Sequence, residues 1–228
     1  MAESDVALCV FGTGRYAGFV PALADSARAH FLPAMQPRII AFADRPIGEA
    51  DTTCHLSHMP WPMGTLLRYH YLAAEPCLRH YRYVFMCDAD ARFVGDVHEA
   101  ILGRRVATLG VHHIRLTPDQ YPYCINTESV AYIPPGQGQY YYIGGFQGGD
   151  ATAYLADCAT LADMIHTDLG RRVIPVWHDE SYWNRYLLDH PPDITLPWGF
   201  CANEHDRTAD TKLLALSKDH DAYRAWRC

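Results

Sequence analysis

The chain has 228 residues, 49% of them hydrophobic and 20% charged, which is the composition of a soluble globular protein large enough to bury a sizeable core. Its net charge is −7 and no basic run exceeds Arg104-Arg105 or Arg171-Arg172, so a nucleic-acid partner is excluded. The acidic start Met1-Ala2-Glu3-Ser4-Asp5 does not read as a signal peptide, and no apolar stretch approaches the roughly 20 residues of a membrane span, so a soluble, cytoplasmic protein is expected.

Val6 to Phe11 is an apolar run closed by Gly12-Thr13-Gly14 and reads as a strand and turn. Helical periodicity follows from Ala17 to Phe31, with Pro21 tolerable only in the first turn. Arg38 to Ala43 predicts a second strand, Thr65 to Leu78 a second helix, and Tyr83 to Cys87 a third strand. This βαβαβ order predicts a mostly parallel sheet covered by helices on both faces. Val106 to Val111 is strand-like, and Thr117 to Gly138 is rich in Pro, Gly and polar residues. The aromatic run Tyr140-Tyr141-Tyr142-Ile143 passes into Gly144-Gly145-Phe146-Gln147-Gly148-Gly149, a strand with a bulge or a place where a ligand approaches the backbone. Thr152 to Leu169 and Asp179 to Leu188 read as helices, and Val173 to Val176 as strand-like. No repeat or linker divides the chain, so one domain over residues 1–228 is expected. The eight cysteines (9, 54, 77, 87, 124, 158, 201 and 228) form no CxxC pair, and several lie in apolar strings. They read as reduced, structural thiols.

Three constellations carry chemistry. The strand Tyr83 to Cys87 ends in Asp88-Ala89-Asp90, whose carboxylates point the same way in extended backbone. Such a pair repels itself unless a cation or proton stands between its members, and a divalent metal there could carry the diphosphate of a nucleotide sugar. A DxD after a strand also occurs in haloacid-type phosphatases, but those continue with Thr or Val where this chain has Arg92. Trp177-His178-Asp179-Glu180-Ser181 could be only a helix start, with Asp179 as N-cap and Glu180 favoured by the helix dipole. That account leaves Trp177 and His178 unexplained, and a Trp beside carboxylates suits a sugar site. The third constellation is the Tyr-rich run into Gly144-Gly145.

In this order the pieces resemble glycosyltransferase family 6, which includes the histo-blood-group A and B transferases and small bacterial relatives. The resemblance runs from Val6 to Arg224 and weakens between Leu196 and Asp210. It rests on Phe11 to Tyr16, Asp88-Ala89-Asp90, Ala131-Tyr132-Ile133-Pro134, Tyr141 to Phe146 with Gly148-Gly149, Trp177 to Ser181, Asn184 to Leu188, and Lys218-Asp219-His220 with Arg224. It implies an α/β GT-A fold and retaining transfer of GalNAc or Gal in α-1,3 linkage from a UDP donor. Phe11 and Tyr16 would hold the uridine, and Asp88 and Asp90, flanking Ala89, would bind Mn²⁺ and through it the diphosphate. Arg68 matches a donor-site arginine. Glu180 matches the carboxylate beneath the anomeric carbon and Asp179 one that contacts the donor sugar. Trp177 and His178 would shape the acceptor and donor sugar pockets, while Lys218 and Arg224, in a tail of about residues 210–228, would close over the diphosphate.

Many bacterial members carry Asn-x-Asn at the metal position; both aspartates are kept here, so metal dependence is expected. The resemblance places Ile143 and Gly145, around Gly144, against C2 of the donor sugar. The absence of a side chain at 145 favours UDP-GalNAc, with UDP-Gal the alternative. An acceptor-binding histidine of the blood-group enzymes falls on Gly110, with His112 and His113 close by, so His112 is the candidate acceptor residue and a fucosylated galactose the candidate acceptor. A DxD phosphohydrolase using Asp88 as nucleophile and a non-catalytic sugar-binding module remain as rivals. Oligomeric state is not legible.

Overall fold

The computed structural model describes residues 4–219. In chain order its strands and helices are β1 (Val6–Phe11), α1 (Val20–His30), β2 (Arg38–Ala43), β3 (Thr52–His55), α2 (Met63–Leu66), α3 (Arg68–Ala74), β4 (Tyr83–Asp88), β5 (Ala91–Phe93), β6 (Val106–Leu109), α4 (His112–Arg115), β7 (Tyr142–Asp150), α5 (Ala151–Gly170), α6 (Asp179–Asp189), β8 (Ile194–Leu196), β9 (Cys201–Asn203) and β10 (Leu213–Ala215). Seven strands form a central sheet in the order β3-β2-β1-β4-β7-β6-β8. All its pairings are parallel except those of β7, which runs antiparallel to both β4 and β6. The result is a GT-A-like mixed α/β fold. No described helix is long and apolar enough to cross a membrane.

Period-two alternation divides the core. Val6, Leu8 and Val10 of β1 face a cluster containing Val20, Leu23 and Ala27 of α1. Ala7 and Cys9 face the opposite cluster with Tyr69 and Leu72 of α3, Tyr154 and Leu161 of α5, and Trp183 of α6. Because β1 and β4 are covered on both faces, they read as unbroken apolar runs.

The helix expected from Thr65 to Leu78 is broken. α2 yields to α3 at Leu67 (φ −92°, ψ 3°), and α3 stops before Glu75, which is extended at φ −78°, ψ 110°. Pro76 explains the second break, since it has no N–H and excludes helical geometry from the residue before it. Val173 to Val176 is not a strand but part of the turn-rich approach to α6. A three-stranded sheet, β5-β10-β9, lies beside the central one, with β10 antiparallel to β5. Leu216 N donates to Asp90 O at 2.8 Å, so the chain after β10 is carried back over the acidic turn between β4 and β5.

Candidate active site

β4 delivers Asp88 at its carboxyl end, in register with Phe11 at the end of the neighbouring β1. Ligands of open α/β sheets bind at such an edge, beyond the strand ends. Here it opens into a cavity of about 270 Å³ lined, among others, by Phe11, Tyr16, Arg68, Asp88, Asp90, Gly144, Gly145, Trp177, His178, Asp179, Glu180 and Lys218. These residues come from segments as far apart in the chain as Phe11 and Lys218, and all were singled out in the sequence.

Arg68, the first residue of α3 and only 5% exposed, organises the floor. Its Nε donates to Asp179 Oδ2 at 2.5 Å and its Nη1 to Asp88 Oδ1 at 2.6 Å, so one guanidinium joins the end of β4 to the start of α6. Burial raises the Asp179 carboxyl to about 6 against the opposing pull of Arg68. Lys218 pairs with Asp90 and stands 5.1 Å from the Tyr16 ring centroid.

Glu180 is held by two donors. Tyr141 Oη–H reaches Oε1 at 2.6 Å and the Gly144 amide reaches Oε2 at 2.7 Å. That amide is available because β7 bulges away from β6: Ala107 pairs with Gln147 but Thr108 pairs with Ile143, which leaves residues 144–146 out of that ladder. Side chains satisfy the bulge, with Thr108 Oγ1 donating to Phe146 O at 2.8 Å and Gln147 Nε2 to Gly144 O at 3.3 Å. Removal from water pushes the Glu180 carboxyl up to about 7, although its two hydrogen bonds favour the anion. A Cβ at 144 would lie 2.8 Å from Arg68 Nη2 and 3.2 Å from Asp179 Oδ2, so a side chain there would displace the Arg68–Asp179 pair.

The approach to α6 departs from the expected cap. His178, not Asp179, is the N-cap, and its φ of 51° and ψ of −124° are those of a position usually taken by glycine in a type II′ turn. The Glu180 amide closes that turn on Trp177 O at 3.0 Å. Strained backbone of this kind persists where neighbouring structure over-determines it, here directly beside the two carboxylates.

Other sequence candidates lie around this centre. Ala89, between the two aspartates, is buried in the core at 2% exposure and does not line the cavity. Ile143 Cδ1 lies 3.9 Å from where a Gly145 Cβ would stand. His112 sits behind the site, its ring centroid 4.7 Å from that of Tyr141, and burial lowers its pKa. A Cβ on Gly110 would meet His112 Nδ1 at 2.8 Å, so a side chain at 110 and the present position of His112 exclude each other. Arg224 lies outside the described residues. The sequence reading missed Trp61 and His58, which also line the cavity; the Trp61 and His178 ring centroids are 4.7 Å apart, and Thr13 Oγ1 lies 2.9 Å from His58 Nδ1. A tryptophan set between Pro60 and Pro62 was the available signal.

The acidic pair suits a hard divalent cation. Asp88 commits Oδ1 to Arg68 and Asp90 commits Oδ2 to Lys218, so each has a second oxygen outside those pairs. Gly145 gives Asp88 Oδ2 room that a Cβ, 3.2 Å away, would take. Carboxylate oxygens are the donors that Mg²⁺ and Mn²⁺ prefer.

A GT-A-like sheet whose acidic edge faces a buried arginine and a doubly anchored glutamate defines a glycosyltransferase. The sequence model of glycosyltransferase family 6 matches residues 69–227, and the chain belongs to that family. Histo-blood group ABO system transferase 2 of Rattus norvegicus is 27% identical over 240 residues, covering 97% of this chain and 72% of the rat protein. Globoside alpha-1,3-N-acetylgalactosaminyltransferase 1 of Gallus gallus is 26% identical over 204 residues, covering 84% of this chain and 60% of its own length. Alpha-1,3-galactosyltransferase 2 of Homo sapiens is 29% identical over 123 residues, which cover 54% of this chain and 36% of the human protein.

Proposed function

We propose that residues 1–228 act as one unit that transfers GalNAc from UDP-GalNAc, with retention and in α-1,3 linkage, to a fucosylated galactoside. The observation that supports this most directly is the fixed Glu180 carboxylate, one residue from an Asp179 that Arg68 ties to the DxD aspartate Asp88. Phe11 and Tyr16 flank the uridine position. Asp88 and Asp90 would hold a divalent cation, Mn²⁺ by preference, which when bound supplies Lewis-acid stabilisation of the charge on the departing diphosphate. Lys218 would add positive charge to the same group; Arg224 and the tail beyond it, outside the described residues, would add to that charge and exclude water. Asp179 orients the donor sugar. Glu180, ionised, faces the anomeric carbon; a covalent glycosyl-Glu180 and a same-face ion pair both need that anion there. Trp177, 46% exposed, offers a ring face to the acceptor, and His112 acts from behind Tyr141.

The glycine at 145 supports the N-acetylated donor, since it leaves space beside Ile143. A donor screen tests the reading: UDP-GalNAc and UDP-Gal, each with and without EDTA, against fucosyl-galactose and lactose. The expected result is an α-linked GalNAc product on the fucosylated acceptor, lost in chelator and restored by Mn²⁺. Transfer undiminished by EDTA, or phosphate release from simple esters without glycan product, would overturn it.

A further inference from the structure

The cysteines described are free thiols; Cys9, Cys87, Cys124 and Cys158 are buried, while Cys54, Cys77 and Cys201 are partly exposed, and the first two of these three lie together. Cys54 lies on the edge strand β3, and Cys77 in the tight turn Pro76–His80 that leads into β4. Glu75 caps that turn. The two sulfurs and one Glu75 carboxylate oxygen all lie within 4.8 Å of one another, and none of the three residues lines the sugar-nucleotide cavity.

We propose that Cys54, Glu75 and Cys77 form a binding site for a thiophilic divalent cation, with Zn²⁺ as the ordinary occupant. Two sulfurs and one oxygen match zinc and not the hard cations suited to Asp88 and Asp90. Three protein ligands leave the fourth tetrahedral position to solvent. The carboxylate is pre-oriented, because Glu75 Oε1 accepts from the Cys77 amide at 3.2 Å. Glu75 and Cys77 share one turn, and Cys54 reaches them from β3, so the third donor arrives by tertiary packing. Cys9 of β1 also adjoins them, and Tyr81 adjoins Cys77; neither supplies a positive charge. Ligation by two thiolates expels two thiol protons. An occupied site would tie β3, the exposed edge of the sheet, to the segment entering β4, across β2 and β1.

The full chain, stripped with chelator and reduced, is titrated with Zn²⁺ against a chromophoric competitor, and with Co²⁺ as a spectroscopic probe. One zinc per chain is expected, together with proton release, a raised melting temperature, and thiolate-to-cobalt charge-transfer absorption. C54S and C77S should each weaken binding by on the order of 100-fold and E75Q by about tenfold, while D90N leaves it unchanged. Zinc uptake that is absent, that survives C54S and C77S, or that disappears in D90N would overturn the site. Should the serine variants not fold, alkylation of the unaltered chain decides: zinc must shield Cys54 and Cys77, and equal labelling with and without zinc refutes the proposal.

Discussion

Two buried arginines, made from the same residue types, serve opposite ends. Arg105, 7% exposed, grips Asp157 with two parallel bonds of 2.6 and 2.8 Å. It also donates to His190 O, and Tyr186 Oη–H donates to Asp157 Oδ1 at 2.6 Å. That network is closed and acts as a rivet between β6, α5 and α6. Arg68, 5% exposed, divides its donors between Asp179 and Asp88, and the Asp88 side chain is 44% exposed at the cavity. An arginine shared between two carboxylates, one of them open to a ligand, is held ready for charge that arrives later. Saturation separates structural from functional ion pairs more sharply than burial does.

Four experiments would break or sharpen this contrast, from the largest expected effect to the smallest. Asp90→Asn should lower kcat/KM for transfer by roughly 10³-fold, as expected if Asp90 holds the proposed cation against the diphosphate. Activity equal to the unaltered chain in EDTA would remove the metal from the site. Glu180→Gln should cut kcat by roughly 10²- to 10³-fold with little change in UDP affinity measured by calorimetry. Because the Glu180 pKa rises from 4.5 to about 7 in the folded chain, kcat/KM should climb with pH and level off above about 7. Between those values the folded state binds more protons than the unfolded one, so Glu180 subtracts stability as pH rises from 4.5 to 7. Chemical denaturation of Glu180→Gln should lack that decline.

The paired arginines give the third test. Arg105→Met strands Asp157 and should cost about 3–5 kcal/mol in urea unfolding, most of it recovered by adding Asp157→Leu. Transfer measured below the melting transition should survive that double change. Arg68→Met with Asp179→Asn should likewise regain stability but not transfer. If transfer also returns, Arg68 is a second rivet and the comparison fails. Smallest is Gly145→Ala, expected to move the UDP-GalNAc to UDP-Gal ratio of kcat/KM toward galactose by roughly tenfold. An unchanged ratio would discard the pocket argument.

Much of the donor edge was legible because its parts are local. β1, β2 and β4 are apolar runs with turn residues at their ends, and the DxD is read directly at the end of one of them. The short strands β3, β5, β8, β9 and β10, of three or four residues, carry too little periodicity to see. The bond from Arg68 to Asp179 spans 111 positions, and no local pattern announces it. Periodicity also ran past Pro76, where the missing amide overrules it. His178 as the cap was hidden because its backbone conformation is one that glycine usually takes.

Asn184 of α6 clasps the first residue of β7, accepting from Tyr142 N at 2.9 Å and donating to Tyr142 O at 2.7 Å. The long segment before it builds a miniature core of its own from Tyr121, Tyr123, Ile133 and Tyr141. Residues before Tyr140 can vary while Tyr141, bonded to Glu180, and the clasp at Tyr142 return the chain to the glycines beside Glu180. Such an arrangement permits new acceptors to be sampled by rewriting the excursion while the sugar-nucleotide half of the machine stays in calibration.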